Sequence, residues 1–171
     1  EGLAEIWFED IQTGQGLGDN PDYINGAYAD EPNFISDEGP SFLMTRENVV
    51  VPGPELAKDT PGVKALFLVK RKPGLSVAEF QDYWRNKHAP IVPKTPGLQR
   101  YVQCHVAPET YGAETPKYDG VAELCWADIA SFEKGWQSDE MQVEQFNDVP
   151  NFVDIQNSVG LLVEEIRVIW P

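Results

Sequence analysis

Apolar side chains fill both alternating sets of positions in residues 63–71, which read VKALFLVKR. A strand that is exposed on one face alternates apolar and polar residues, whereas a strand covered on both faces is apolar at nearly every position. The segment therefore predicts a strand with packing partners on both faces of its sheet.

The pattern that follows predicts a helix beginning after Ser76. Ser76 and Glu79 have the spacing of a capping box, in which each residue satisfies a backbone N–H group at the start of the helix. Aromatic residues then recur at helical spacing as far as His88. The helix should end before Pro90, because the residue preceding a proline avoids the helical conformation.

Three more strands and one more helix complete the pattern. A Pro-Gly turn leads into an apolar strand at residues 98–106, and a loop rich in Pro, Gly and Thr leads to a strand at residues 121–126. Asp128 opens helical sequence that runs to about Asn147, and residues 161–170 form the last strand. The order β-α-β-β-α-β predicts an α+β fold, the ferredoxin-like plait, with two helices on one face of a four-stranded antiparallel sheet.

The first strand requires that the other face of this sheet be covered as well. Two plaits packed sheet to sheet would provide that cover, either as a homodimer or as two halves of one chain. A repeat in the sequence favours the second arrangement.

Residues 1–53 align with residues 119–171 without a gap, and twelve of the 53 pairs are identical. About three identities are expected from average composition. We interpret residues 1–53 as the C-terminal half of a first repeat, residues 54–62 as a linker and residues 63–171 as a complete second repeat. This interpretation predicts either about 55 further residues before Glu1, the length of residues 64–118, or a second chain that supplies the missing half in a homo-oligomer or swapped pair.

Charge and composition exclude several classes of partner. The chain of 171 residues has 13 Lys and Arg against 28 Asp and Glu, a net charge of −15. A surface of this sign opposes nucleic acid and anionic membranes. Cys104 and Cys125 lack metal or redox spacing, so we expect two buried free thiols and a cytoplasmic protein.

Several short motifs resemble the EthD family of dimeric α+β barrel proteins. They are the run from Lys70 to Ser76, the pattern Y-W-R-x-x-H-x-P at residues 83–90 and the run from Pro96 to Tyr101. The resemblance implies a barrel that needs no cofactor and has a hydrophobic cavity between sheet and helices. It also implies a dehydratase, decarboxylase or cyclase-like enzyme of aromatic or polyketide metabolism.

His88 is the first candidate for chemistry, because it lies at the C-terminal end of the predicted helix. The negative end of the helix dipole favours the imidazolium form there, which would keep a proton available near neutral pH. The alternative is a structural histidine that caps the last helical carbonyl groups. The resemblance favours a catalytic role for His88.

Glu123 is the second candidate, since it interrupts an otherwise apolar strand and recurs as Glu5 in the repeat. Burial would raise its pKa and make it a proton donor. Alternatively, it pairs with Arg100 or Arg167 and only stabilises the fold.

Tyr101 and His105 share one face of the second strand of the plait by the two-residue period of a strand. Tyr101 and Glu123 are the two possible hydrogen-bonding partners of His88. His105 could line the cavity. Asp148 and Asn151, which recur as Asp30 and Asn33, are interpreted as turn residues. Further aromatic side chains could form core or the walls of a substrate pocket, namely Tyr83, Trp84, Trp126 and Phe152.

The sequence offers no ligand set for a metal and no nucleotide-binding or serine hydrolase motif. We therefore predict a lyase without cofactor or metal, acting on a small hydrophobic or aromatic substrate. His88 would be the general acid and base, with Tyr101 or Glu123 as its partner. The alternatives are a cofactor-free monooxygenase of anthrone-like substrates and a module that binds a hydrophobic ligand without catalysis.

Overall fold

The computed structural model describes residues 2–36, 39–54, 62–112 and 115–164. The chain divides into two compact units, Glu1–Met44 and Thr45–Pro171. The boundary predicted from the repeat lies later, at residues 53–63, and most of the predicted linker lies outside the described residues.

The first unit consists of short helical segments. Its helices are α1 (Ile11–Gln15) and α2 (Pro21–Tyr23), with 3-10 turns at Gly16–Asp19 and Glu31–Asn33 and a π-helical turn at Ile24–Tyr28. Asp10 begins α1 because its carboxylate accepts a hydrogen bond from the backbone N–H of Thr13 at 2.8 Å.

The second unit has the predicted plait at its centre. Its strands and helices are β1 (Thr45–Val51), β2 (Val63–Val69), α3 (Val77–Tyr83), β3 (Leu98–Val106), β4 (Gly120–Trp126), α4 (Ile129–Trp136), α5 (Phe146–Asp148) and β5 (Val159–Val163). The strands form one antiparallel sheet in the order β1-β3-β4-β2-β5. The predicted last strand ends at Val163, and residues 165–171 lie outside the described residues.

The sheet has five strands instead of the predicted four. The additional strand is β1, which comes from the segment interpreted as part of a first repeat, and it pairs with β3 so that Val49 lies opposite Val102. An open sheet edge presents unpaired N–H and C=O groups, and β1 satisfies those of β3.

The repeat agrees with the structure at some positions and not at others. Asp10 caps α1 as Asp128 caps α4, and the 3-10 turns Glu31–Asn33 and Val149–Asn151 occupy equivalent positions. Residues 2–8, however, form no strand, whereas the equivalent residues 120–126 form β4. The duplication stays a prediction.

The capping box predicted for the first helix of the plait is present. Ser76 accepts a hydrogen bond from the backbone N–H of Glu79, and the Glu79 carboxylate accepts one from the backbone N–H of Ser76 at 2.8 Å. The helix continues beyond α3 as a π-helical turn, Trp84–His88.

The second predicted helix is interrupted. It ends at Trp136, where the Ser138 hydroxyl donates a hydrogen bond to the carbonyl of Gly135 at 2.7 Å and competes with the helical pattern. The chain then forms a π-helical turn at Glu140–Gln145 and the short helix α5.

The two faces of the sheet carry different residues. Residues directly opposite each other on neighbouring strands share a face, so Tyr101 lies with Leu124 on one face and Val102 with Glu123 on the other. The core between sheet and helices belongs to the Tyr101 face, which is called the helix-covered face below. The face of Val102 and Glu123 is called the opposite face.

The opposite face is also buried on the central strands of the sheet, although Val49 on the edge strand β1 is exposed. Leu66 and Val102, which lie on it, are each 2% exposed, so the prediction of a strand buried on both faces is confirmed. Both cysteines are free and buried, as predicted. In the described ranges, no helix is long and apolar enough to span a membrane. Sheet-to-sheet packing, a homo-oligomer and a cytoplasmic location stay predictions.

Candidate functional site

His88 forms a close pair with Asp148 in the layer of helices. The ring nitrogen Nδ1 of His88, at the end of the π-helical turn, lies 2.9 Å from Oδ2 of Asp148 at the end of α5. The His88 residue is 7% exposed. The two ends of separate helical segments therefore bring the imidazole and the carboxylate together.

Other side chains hold the Asp148 carboxylate in place. The Tyr83 hydroxyl donates a hydrogen bond to Oδ1 at 2.7 Å, and the Asn151 amide donates to the same oxygen at 3.1 Å. Burial acts to raise the pKa of Asp148, but hydrogen bonds from Tyr83, His88 and Asn151 outweigh burial and lower it. The carboxylate is thus ionised at neutral pH.

Burial lowers the pKa of His88, and the hydrogen bond and charge of Asp148 offset part of this effect. The dipole argument from sequence predicted an imidazolium, but the structure favours a neutral ring at pH 7, because removal of the ring from water dominates. An ionised carboxylate only accepts hydrogen bonds, so Nδ1 carries the proton and Nε2 carries the lone pair. Among the described residues, no hydrogen bond engages Nε2.

Phe152 packs against the rings of His88 and Tyr83. Its ring centroid lies 5.0 Å from that of His88 and 5.2 Å from that of Tyr83, and the residue is 2% exposed. The predicted substrate-binding residues Tyr83 and Phe152 therefore lie beside His88. Phe152 and Trp84 are core residues that fill the layer between sheet and helices.

Tyr101 lies deeper in the core and bonds other residues. Its hydroxyl oxygen accepts hydrogen bonds from the Trp84 indole at 3.0 Å and the Gln103 amide at 2.9 Å, and the residue is 1% exposed. Burial raises the pKa of Tyr101 far above its usual value. Because Trp84 begins the turn that ends at His88, Tyr101 anchors this turn on the sheet.

His105 shares the helix-covered face with Tyr101, as predicted, and both bond Gln103. Its Nε2 lies 3.1 Å from the amide oxygen of Gln103, and its ring packs 4.5 Å from that of Trp84. Its Nδ1 is buried and makes no hydrogen bond within the described residues. Burial, with a contribution from the charge of Arg85, lowers the pKa of His105 to about 3.

Glu123 lies on the opposite face of the sheet and therefore away from Tyr101. It forms an ion pair with Lys64 at 3.2 Å and accepts a hydrogen bond from the Cys104 thiol at 2.9 Å. Its described ion-pair partner is Lys64. The pairing with Arg100 or Arg167 stays a prediction, and Arg167 lies outside the described residues. The structure does not bring Glu123 to His88, because the sheet separates them.

Trp126 also belongs to another part of the core. Its ring meets that of Phe132 edge to face at 5.2 Å, and its indole N–H donates to the carbonyl of Pro96 at 3.3 Å. These contacts hold α4 on the sheet and give Trp126 a structural role.

Asp148 is the functional candidate that the sequence analysis assigned to a turn. The turn interpretation is correct in part, since Asn151 bonds Asp148 as Asn33 bonds Asp30. Its contact with His88 is added by tertiary structure, because 60 residues separate the two. In the described segments, no group of three or more His, Cys, Asp or Glu side chains is arranged to hold a metal ion.

The fold and this site define a ferredoxin-like α+β protein with a partly buried His–Asp pair in its layer of helices. The EthD domain matches residues 72–156, a range that contains His88 and Asp148. No curated protein matches the chain.

Two solved structures illustrate what the chain is similar to in fold. An ethyl tert-butyl ether D (EthD) family protein from Bacillus halodurans C-125 has a TM-score of 0.51 and 22% identity, over 61% of this chain and 99% of that one. A dimeric ferredoxin-like protein of unknown function from Thermobifida fusca YX has a TM-score of 0.48 and 11% identity, over 64% and 95% of the two chains.

Proposed function

We propose that the protein is a cofactor-independent lyase that dehydrates or decarboxylates a small aromatic or polyketide-like substrate. The observation that supports this most directly is the 2.9 Å contact between His88 Nδ1 and Asp148. It orients a neutral imidazole whose Nε2 lone pair can accept a proton, which is the requirement for a general base.

In a dehydration, His88 would serve as base and then as acid. Nε2 removes a proton from the carbon next to a substrate carbonyl, and the released electron pair forms the carbon–carbon double bond as hydroxide leaves. The imidazolium returns its proton to the hydroxide, which leaves as water. Asp148 stabilises the imidazolium between these steps, and the sequence of proton transfers calls for no cofactor.

The proposal changes the partner of His88 from the one expected from sequence. Asp148 takes the place of Tyr101 and Glu123, because Tyr101 bonds Trp84 and Gln103 while Glu123 lies on the opposite face. Tyr83 is a positioning residue, since its hydroxyl fixes the Asp148 carboxylate.

The test is to measure turnover of aromatic β-hydroxyketones and aromatic carboxylic acids by wild-type protein and His88→Gln. Enone formation is followed by ultraviolet absorbance, and decarboxylation by released carbon dioxide. We expect His88→Gln to lose about 100- to 10,000-fold in turnover, the usual contribution of a general acid–base group. The control is Gln142→Ala, an exposed change outside the site, which should retain activity. Unchanged turnover in a folded His88→Gln protein would remove His88 from the mechanism.

The same assay separates the lyase from its two alternatives. Turnover that stops under nitrogen and consumes oxygen in air would instead indicate a monooxygenase. Recovery of every compound unchanged, with binding shown by calorimetry, would indicate a binding module without catalysis. Either result would overturn the lyase proposal.

A further inference from the structure

A cavity of about 390 Å³ lies at the end of β2 and carries a concentration of positive charge. Four cationic side chains line it, Lys70, Arg71, Lys72 and Lys117, against one lining carboxylate, Asp154. This is nearly a third of the 13 Lys and Arg residues, in a chain whose net charge is −15. The cavity therefore differs in sign from the molecule as a whole.

Neutral backbone groups hold two of these ammonium groups in position. Lys70 Nζ donates to the carbonyl of Pro116 at 2.7 Å, and Lys72 Nζ donates to the carbonyl of Pro150 at 2.9 Å. A carbonyl group orients a lysine without neutralising it, and each ammonium group has three donors. Both lysines thus keep donors for a ligand.

One buried carboxylate balances only part of the charge. Asp119 is 0% exposed and lies 3.4 Å from Lys70 Nζ and 3.3 Å from Arg71 Nε. Its other contacts are the backbone N–H of Arg71 at 2.9 Å and the hydroxyl of Tyr111 at 2.8 Å. Asp119 with Asp154 leaves the four cations a surplus of two positive charges.

Lys72 and Lys117 carry this surplus. Neither forms an ion pair with a carboxylate among the described residues, and Lys117 Nζ lies 5.6 Å from the centre of the Tyr118 ring. Both residues are exposed and line the cavity. The Asn157 amide adds a polar group to the wall, although it also bonds Asp154 at 2.8 Å.

We propose that this cavity binds a small molecule through a multiply charged oxyanion, such as a phosphate ester or a polycarboxylate. Its volume is that of an ordinary small-molecule site, and its surplus positive charge favours an anion with two or more negative charges. Lys70 and Arg71, which Asp119 partly balances, and the exposed Lys72 and Lys117 would contact the anion together. This proposal does not rest on the role of His88.

Titration calorimetry with inorganic pyrophosphate tests the site at an ionic strength of about 0.1 M, where distant charges are largely screened. We expect binding by wild-type protein and a loss of at least about tenfold in affinity in Lys72→Gln/Lys117→Gln. The matched control is Lys94→Gln/Lys134→Gln, which removes two cations that do not line the cavity and should bind like wild type.

A parallel titration with citrate distinguishes the two sources of the anion. Tighter binding of pyrophosphate assigns the site to phosphate esters, and tighter binding of citrate assigns it to polycarboxylates. Absence of binding by either compound would overturn the proposal. Equal loss in the two double variants would also overturn it, because that result indicates a general effect of net charge.

Discussion

The two faces of the sheet both bury polar side chains, but they stabilise them in different ways. On the opposite face, the Glu123 carboxylate is balanced by Lys64, and its other oxygen accepts from Cys104. In the helix layer, the Asp148 carboxylate is held by Tyr83 and by the neutral ring of His88. On the opposite face, a positive charge balances the carboxylate. In the helix layer, the carboxylate orients a neutral histidine that can act as a base.

This difference indicates which carboxylate is suited to chemistry. Both described contacts of Glu123 fix it within the sheet, and one of them is the ion pair with Lys64. Asp148 is linked to a ring whose second nitrogen is available. Burial alone, which suggested Glu123 from the sequence, does not distinguish these two arrangements.

The largest effect is expected from Glu123→Gln, which removes the ion pair with Lys64 and weakens the contact with the Cys104 thiol. Removing one member of a buried ion pair lowers the free energy of unfolding by about 3 kcal/mol. Glu144→Gln is the matched control, since its ion pair with Lys94 is exposed and should contribute less than about 1 kcal/mol. Urea unfolding measures both. Equal losses would show that the pair on the opposite face is not effectively buried.

The next effect concerns acid stability on the helix-covered face. The pKa of His105 falls to about 3 in the folded protein, so below about pH 6.5, the usual value for histidine, the unfolded chain binds a proton that the folded chain does not. Stability should therefore fall as the pH decreases through this window, by on the order of 1 kcal/mol per pH unit.

Comparison with His105→Gln isolates this contribution, because both proteins share all other titrating groups. Urea midpoints are measured for each at pH 7, 6, 5 and 4, and the wild-type slope should be the steeper. His88, whose pKa is also lowered, contributes with the same sign in both proteins. Parallel slopes would contradict a buried, neutral His105.

The smallest effect is expected from Tyr83→Phe, which removes the hydrogen bond to Asp148 Oδ1. Loss of one such bond lowers the free energy of unfolding by about 1 kcal/mol. Turnover should fall less than in His88→Gln, because His88 and Asp148 still contact each other. Tyr28→Phe, at an exposed tyrosine, is the control and should change stability by less than about 0.5 kcal/mol. A loss of turnover as large as that of His88→Gln would assign the Tyr83 hydroxyl a direct role in the reaction.

Local patterns were sufficient to predict most of the central fold. The capping box at Ser76 and the strand over residues 98–106 occur as predicted. These features depend on neighbouring residues, because a side chain near the start of a helix or along a strand acts on backbone groups a few positions away. The interruption after Trp136 was missed, since it depends on a single serine hydroxyl within an otherwise helical pattern.

The sequence by itself determined the α+β plait, the burial of β2 on both faces and His88 as a candidate base. Only the tertiary structure decided that β1 joins the sheet, that Asp148 is the partner of His88 and that Glu123 faces away from it. The reason is physical: hydrophobic periodicity and capping act over a few residues, whereas the His88–Asp148 contact joins groups 60 residues apart. Such contacts depend on how complete helices and strands pack together.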